Sequence, residues 1–365
     1  MTKISEVINV LEKFAPPVFQ ESYDNCGLLV GDKNAVVNGV LLTLDVIEET
    51  IDEAIKNNCN LIVAHHPLIF SGLKKITGAN LIQRCVIKAI KNDIAIYAAH
   101  TNFDNVNNGV NAKICDLLQL KNQKVLVPKT NTLSKLVTYA PLADADKVRN
   151  ALFEAGAGNI GNYSNCSFNS NGTGTFMANN GANPFVGELN KLHSEAETKI
   201  EVVFPNHLRN QIISKLKQNH PYEEVAYETV AIDNVWTDLG SGRIGELEVE
   251  ENELDFLNTI KQVFDAKSLR YTKLLNKKVK KVAVCGGSGS FLLNDAINAG
   301  ADIFLSSDFK YHQFFDAENR IVIADIGHYE GEQYTKQLFS EIINKNFTTF
   351  AVRLTEINTN PINYL

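Results

Sequence analysis

Three observations predict an α/β chain built on a mostly parallel sheet. Runs of consecutive apolar residues, Leu61-Ile62-Val63-Ala64, Ile94-Ala95-Ile96-Tyr97-Ala98-Ala99 and Ile321-Val322-Ile323-Ala324, read as strands covered on both faces. Amphipathic helical stretches alternate with them, as crossover connections between parallel strands require. Each run stops abruptly on polar residues: His65-His66-Pro67, His100 to Asn105, and Asp325 to Glu332. In open α/β sheets the carboxyl ends of the strands are where ligands bind.

Taken in order, Ser5 is expected to cap a short amphipathic helix through Val7, Ile8, Val10 and Leu11 that ends before Pro16-Pro17. Glu21 to Gly31 is a polar turn leading into a short strand. Val40 to Leu44 is the next strand, and Ile47 to Lys56 a helix with acids in its first turns, where the helix dipole favours them. The strand Leu61 to Ala64 is ended by Pro67, which cannot donate to a sheet ladder. A loop with Gly72 and Gly78, a helix near Asn80 to Lys91 and the strand Ile94 to Ala99 repeat the alternation. After the polar exit His100 to Asn105, a helix is expected from about Asn108 to Leu118.

From about Val125 the texture changes. Asn159 to Pro184 is rich in Asn, Gly and Ser with little apolar periodicity, which predicts a loopier module. Lys199 to Phe204 and Val225 to Val230 are strands and His207 to Gln218 a helix, so this is a small α+β unit inserted in a larger domain. The division falls at 1–125, 126–240 and 241–365. His193, His207 and His220 lack partners at ligand spacing and are expected to be solvated or packing residues.

Past Asp238 the alternation resumes, with a helix from about Glu253 to Phe264 and a strand from Val279 to Val284. The turn Cys285-Gly286-Gly287-Ser288-Gly289-Ser290 opens a further helix. It either cradles an anion on backbone N–H groups or is simply tight; the lysine and glycine spacing of a nucleotide fingerprint are absent. Ala301 to Leu305 is a strand ending in Ser306 to His312. The strand Arg320 to Asp325 leads into a helix that starts within Ile326 to Glu332. At 100° per residue His328 and Glu332 share one helical face, while Glu330 points elsewhere.

Composition excludes several functions. A formal charge of -7 without a basic block is not built to neutralise a phosphate backbone, so nucleic acid is not an expected partner. No signal-peptide core and no apolar run of membrane-spanning length are present, so a cytoplasmic protein with no membrane partner is expected. The six cysteines are scattered without C-x-x-C spacing and read as reduced and structural.

Parallel neighbours exit a sheet at the same edge, which brings His65, His66, Asp104, His328 and Glu332 within reach of one another. Five N/O ligands exceed what one tetrahedral ion takes and suit two ions sharing a bridging carboxylate or water. A set without cysteine fits zinc, manganese, iron or nickel. Asp104 is expected to be the bridge, since a carboxylate can give one oxygen to each ion and its exit loop can reach between His65 and His66 on one side and His328 with Glu332 on the other; Glu332 is the alternative. His100 and His312 are candidates for moving protons.

At these residues the chain resembles the NGG-interacting-factor-like proteins, known as GTP cyclohydrolase 1 type 2 homologs. The matching stretches are Asp24-Asn25-Cys26-Gly27-Leu28, Ala64-His65-His66-Pro67, Ala99 to Asp104, Gly242-Arg243-Ile244-Gly245, Gly286 to Gly289, and Gly327 to Glu332. The resemblance implies two similar α/β lobes around a dinuclear metal site, two divalent ions per chain on His65, His66, Asp104, His328 and Glu332, and a ring-like homohexamer. It also implies a PII/CutA-like insertion, with Asn219 to Glu224 as its signature, and a purine nucleotide such as GTP as substrate. Two functions follow as expectations: a metal-dependent hydrolase acting on a nucleotide, or a metal-storage, delivery or regulatory protein gated by the insertion. On a third reading the insertion is an assembly element, and deleting residues 126 to 240 leaves metal binding intact.

Overall fold

The computed structural model describes all 365 residues. They form two compact units, one made of Met1–Val127 with Asp238–Leu365 and the other of Pro128–Thr237.

The first unit contains two mixed sheets. One has the order β1 (Gly27–Val30), β4 (Ala95–Ala98), β3 (Leu61–Ala64), β2 (Gly39–Thr43), β15 (Ala351–Leu354), parallel except for the antiparallel edge pair β1/β4. The other runs β11 (Arg270–Tyr271), β14 (Val322–Asp325), β13 (Ile303–Ser307), β12 (Lys278–Ser288), β10 (Gly240–Asn252), β5 (Lys121–Pro128), with β12, β13 and β14 parallel. The central strands β2, β3, β4, β13 and β14 are buried at every position, which is why they read as unbroken apolar runs rather than alternating ones. Inward residues of both sheets, among them Leu42, Val63, Tyr97, Val284, Leu305 and Ala324, share one core with the helices Ile4–Phe14, Val110–Leu117, Glu253–Val263 and Thr335–Asn346.

Membership of the sheets crosses the sequence order. The C-terminal strand β15 completes the first sheet beside β2, and β5 lies at the edge of the second. Neither was expected as a strand, since their half-exposed residues carry no clear pattern. The first helix begins at Ile4, with Lys3 rather than Ser5 at its cap. Burying Ile4 in the core draws the helix start forward, and the Lys3 N–H is satisfied by Glu6 at 2.6 Å.

The second unit is a four-stranded antiparallel sheet in the order β7 (Phe168–Met177), β8 (Leu192–Pro205), β6 (Leu133–Pro141), β9 (Tyr227–Ile232). The helices Ala145–Glu154 and Arg209–Asn219 cover one face through Leu136, Ala140, Ile200, Val202 and Phe204. This is the α+β architecture expected. The Asn/Gly/Ser-rich stretch nevertheless contains the ten-residue strand β7, not a loop. It is an edge strand with mostly exposed side chains, so pairing with the β8 backbone fixes it without any apolar alternation.

Candidate metal centre

Strand ends deliver the polar residues. His65 and His66 follow β3 directly, and their N–H groups extend the pairing with the exit of β2, donating to the carbonyls of Thr43 at 3.2 Å and Leu44 at 2.9 Å. β4 ends at Ala98, His100 caps the short helix Thr101–Asn105, and Asp104 sits on that helix rather than in a loop. The helix is held by Phe103, fully buried between Phe14 and Phe339 with ring centroids 5.4 and 5.1 Å away. Truncating such a side chain costs about 3–5 kcal/mol and would release Asp104. From the second sheet, β14 ends at Asp325, and the helix His328–Glu332 brings His328 and Glu332 to the same point, 3.1 Å apart.

Four imidazoles meet there, and the Nδ1 of each is anchored. His65 Nδ1–H donates to the Ala99 carbonyl at 2.8 Å, His66 to Asp45 Oδ1 at 2.7 Å, His100 to Asp24 Oδ1 at 2.8 Å and His328 to Asp308 Oδ2 at 2.6 Å. In the neutral imidazoles each bond would fix the tautomer and leave Nε2 as the lone pair, the arrangement typical of metal-ligating histidine. The His66 and His328 Nε2 atoms lie 3.2 Å from each other and 3.0 and 3.1 Å from Glu332 Oε2. With neutral imidazoles these would be three acceptors in contact, which protons or a metal cation must hold together. Protons answer this only in part, because two imidazoliums would then face each other.

On the other side of the same carboxylate, the fully buried His65 Nε2 is 3.6 Å from Glu332 Oε1 and 3.7 Å from Asp104 Oδ1. His65 Nε2 and Asp104 Oδ1 are buried with no hydrogen-bond partner. These gaps are too long for hydrogen bonds, yet two ligands about 2.0–2.2 Å from one tetrahedral ion stand about 3.3–3.6 Å apart. An unpaired buried acceptor is costly, so two of them aimed at one point fit a metal ion. Ligand-sized groups form from His66, His328 and Glu332, from His65, Asp104 and Glu332, and from His65, His66 and His100. The carboxylate that serves two groups is Glu332, one oxygen to each, whereas Asp104 faces only the group with His65.

Charge follows the same layout. Burial opposes a positive His66 and His328, but Asp45 and Glu332 hold the first up at about 9, and Asp308 and Glu332 hold the second up at about 11. Burial, then the neighbouring Glu332 charge, raises Asp104, while Glu332, against burial, is kept well below the carboxylate range by His65, His328 and His66. Without an ion the cluster therefore stores protons. Burial pushes the thiol of Cys26 up to about 12 and raises that of Cys285, and neither thiol belongs to the ligand groups, which offer nitrogen and oxygen alone.

A family model described as Duf34/NIF3 (NGG1p interacting factor 3) matches residues 2–361. The chain belongs to this family. A Bacillus subtilis relative called GTP cyclohydrolase 1 type 2 homolog is 38% identical over 99% of this chain and 98% of its own. One from Halalkalibacterium halodurans with the same name is 39% identical over 98% of each. The crystal structure of a Bacillus cereus protein related to NIF3 superposes with a TM-score of 0.87 at 38% identity, covering 100% of this chain and 99% of that one.

Within this NIF3-family fold the glycine-rich turn lies against the candidate metal centre. Gly287 adopts φ +61°, and a Cβ there would strike Glu332 Oε1, so the glycine makes room for the shared carboxylate. The Gly286 N–H is already taken by Asn111 Oδ1 at 2.9 Å, and the turn opens a 3₁₀ turn and a six-residue helix. His312 does not join the cluster; it is exposed on the 3₁₀ helix Tyr311–Ala317, its ring against Tyr311 and Phe315. Glu330 also lies outside the ligand groups, but it is buried and accepts a hydrogen bond from Asn360 at 3.0 Å, so it is no neutral surface position. Sequence reasoning gave no role to Asp45 and Asp308. Both follow the carboxyl ends of parallel strands, the same signal that singled out His66.

Proposed function

We propose that the chain binds two divalent ions, one among His66, His328 and Glu332 and the other among His65, Asp104 and Glu332, and that it uses them to hydrolyse a nucleotide. The observation that carries this is the set of anchored imidazoles whose free nitrogens converge on the two oxygens of one buried carboxylate. Zinc, manganese, iron and nickel suit the donors. Such a pair supplies a Lewis acid and water acidified to near neutrality. His100 would hold or release a proton beside the ligand groups: its ring centroid is 5.2 Å from that of His65 and 5.4 Å from that of His66, and Asp24 orients it. Against burial, hydrogen bonds from His100 and Thr101 keep Asp24 well below the usual carboxylate range, so it stays an anion able to support an imidazolium. His312, away from the cluster, is given no part. The nucleotide class rests on the names of the relatives, GTP cyclohydrolase 1 type 2 homolog. A homohexamer in the cytoplasm belongs to the same reading, and light scattering tests the assembly.

Metal-loaded protein assayed on a panel of nucleotides and phosphoesters should show turnover that chelation abolishes. His100→Gln should keep its ions and lose turnover. Absence of turnover from protein holding two ions would favour a delivery function, to which the partly open His328, with a side chain 36% exposed, also lends itself. Transfer of the ions to an apoprotein would then be expected.

A further inference from the structure

The unit Pro128–Thr237 contains a cavity of about 800 Å³, within the range of small-molecule sites. It lies on the sheet face that the two helices leave open. Tyr139, Lys199 and Ser170 stand in cross-strand register there, next to the pair of Glu197 with Gly172. The segment after β7 folds back along the strand and is clamped at two points. Asn190 N–H donates to the Ala178 carbonyl at 2.6 Å, and Asn183 N–H donates to Glu223 at 2.8 Å.

The lining has a definite chemical character. Tyr222 stands between Phe176 and Phe185, with ring centroids 6.2 and 6.3 Å away and the planes steeply inclined, so three aromatic rings border one space. The Tyr222 hydroxyl donates to Glu197 Oε1 at 2.9 Å, which fixes both the ring and the carboxylate. On β7 a Cβ at Gly174 would collide with Glu197, so the glycine lets this carboxylate lie flat against the strand. Glu197, Glu223 and Glu224 line the space against a single cation, Lys199, whose ammonium is 3.3 Å from Glu201. Three carboxylates against one engaged lysine repel phosphate, and aromatic faces with adjacent carboxylates attract a weakly hydrated positive charge.

We propose that this cavity binds a small organic cation, with its ammonium or methylated ammonium group among Phe176, Phe185 and Tyr222 and beside Glu197. Nothing in the metal chemistry requires this site, and its ligand is distinct from a nucleotide substrate. Binding orders no new element, because the wall is already closed by the Glu223 and Ala178 clamps.

Calorimetry on the full-length protein tests it with choline and its neutral isostere 3,3-dimethylbutanol. Choline should saturate one site per chain, the isostere should bind about tenfold more weakly, and inorganic phosphate should not compete. Phe185→Ala and Tyr222→Ala should each weaken choline about tenfold, and Glu197→Gln several-fold, with bound metal unchanged. Phe185 is 57% exposed, so its truncation leaves the unit folded even if Tyr222→Ala does not. Equal affinity for the two probes, choline binding unmoved by Phe185→Ala, or no saturation at all overturns the proposal.

Discussion

His65 and His220 are both buried imidazoles, one in each compact unit, and they differ in how their two nitrogens are used. His220 uses both: Nε2–H donates to the Tyr139 carbonyl at 2.7 Å and Nδ1 accepts the Tyr222 N–H at 3.1 Å. His65 uses one, through Ala99, and leaves Nε2 without a partner beside two carboxylates. Burial does not separate them. A filled set of hydrogen bonds makes a histidine part of the packing, whereas a vacancy aimed at other acceptors marks it as a candidate ligand.

Removing the carboxylate on which both ligand groups depend should have the largest effect. Glu332→Gln is expected to lose both ions after dialysis, measured by elemental analysis, because an amide cannot give an anionic oxygen to each group. Asp104→Asn should lose one ion and keep the one at His66 and His328. A variant of Asp104 that lost both would return the bridge to that residue.

Asp45→Asn touches no ion directly. It should weaken metal binding by about 10- to 100-fold in a competitive chelator titration, through loss of the His66 orientation. Thr359, which donates to Asp45 Oδ2 at 2.8 Å, supports the same chain of contacts.

A smaller effect is a pH dependence. Without metal, and although burial opposes it, the carboxylates of Asp45 and Glu332 raise His66 to about 9, and those of Asp308 and Glu332 raise His328 to about 11. Both lie above the unfolded value of about 6.5, so their stabilisation is complete below that pH and is lost as pH rises through the folded values. Metal needs the same nitrogens deprotonated. The metal-induced rise in Tm should therefore grow from about pH 6 to about pH 8, as scanning calorimetry would show. A flat or falling increment would mean that these imidazoles are not ligands.

At the low end, His220→Ala should leave bound metal unchanged while destabilising its own unit by about 1–3 kcal/mol in urea unfolding, since it strands the Tyr139 carbonyl and the Tyr222 N–H. Loss of metal in this variant would erase the distinction between the two histidines.

The sequence made the candidate ligands legible because five of the central parallel strands are buried on both faces and two of the apolar runs give way to histidine, His65 and His100. His65, His66, Asp104, His328 and Glu332 all stand where such a run gives way to polar residues. Asp45 and Asp308 stand in equivalent places, but a single aspartate after a strand is also common in turns and carries no ligand spacing of its own. Which carboxylate faces both groups could not be read from spacing. It depends on Asp104 being held on a helix by Phe103 and on Gly287 opening room for Glu332. The strand β7 was hidden for another reason: an exposed edge owes its conformation to a neighbour's backbone and leaves no apolar rhythm in its own residues.

The most direct test of the shared carboxylate is anomalous scattering from crystals of the full chain grown with zinc or manganese, recorded at the metal edge. Two peaks about 3.5–4 Å apart are predicted, one against His66 and His328 and the other against His65 and Asp104, with one Glu332 oxygen on each. A single peak, or two peaks of which Glu332 touches only one, would contradict it.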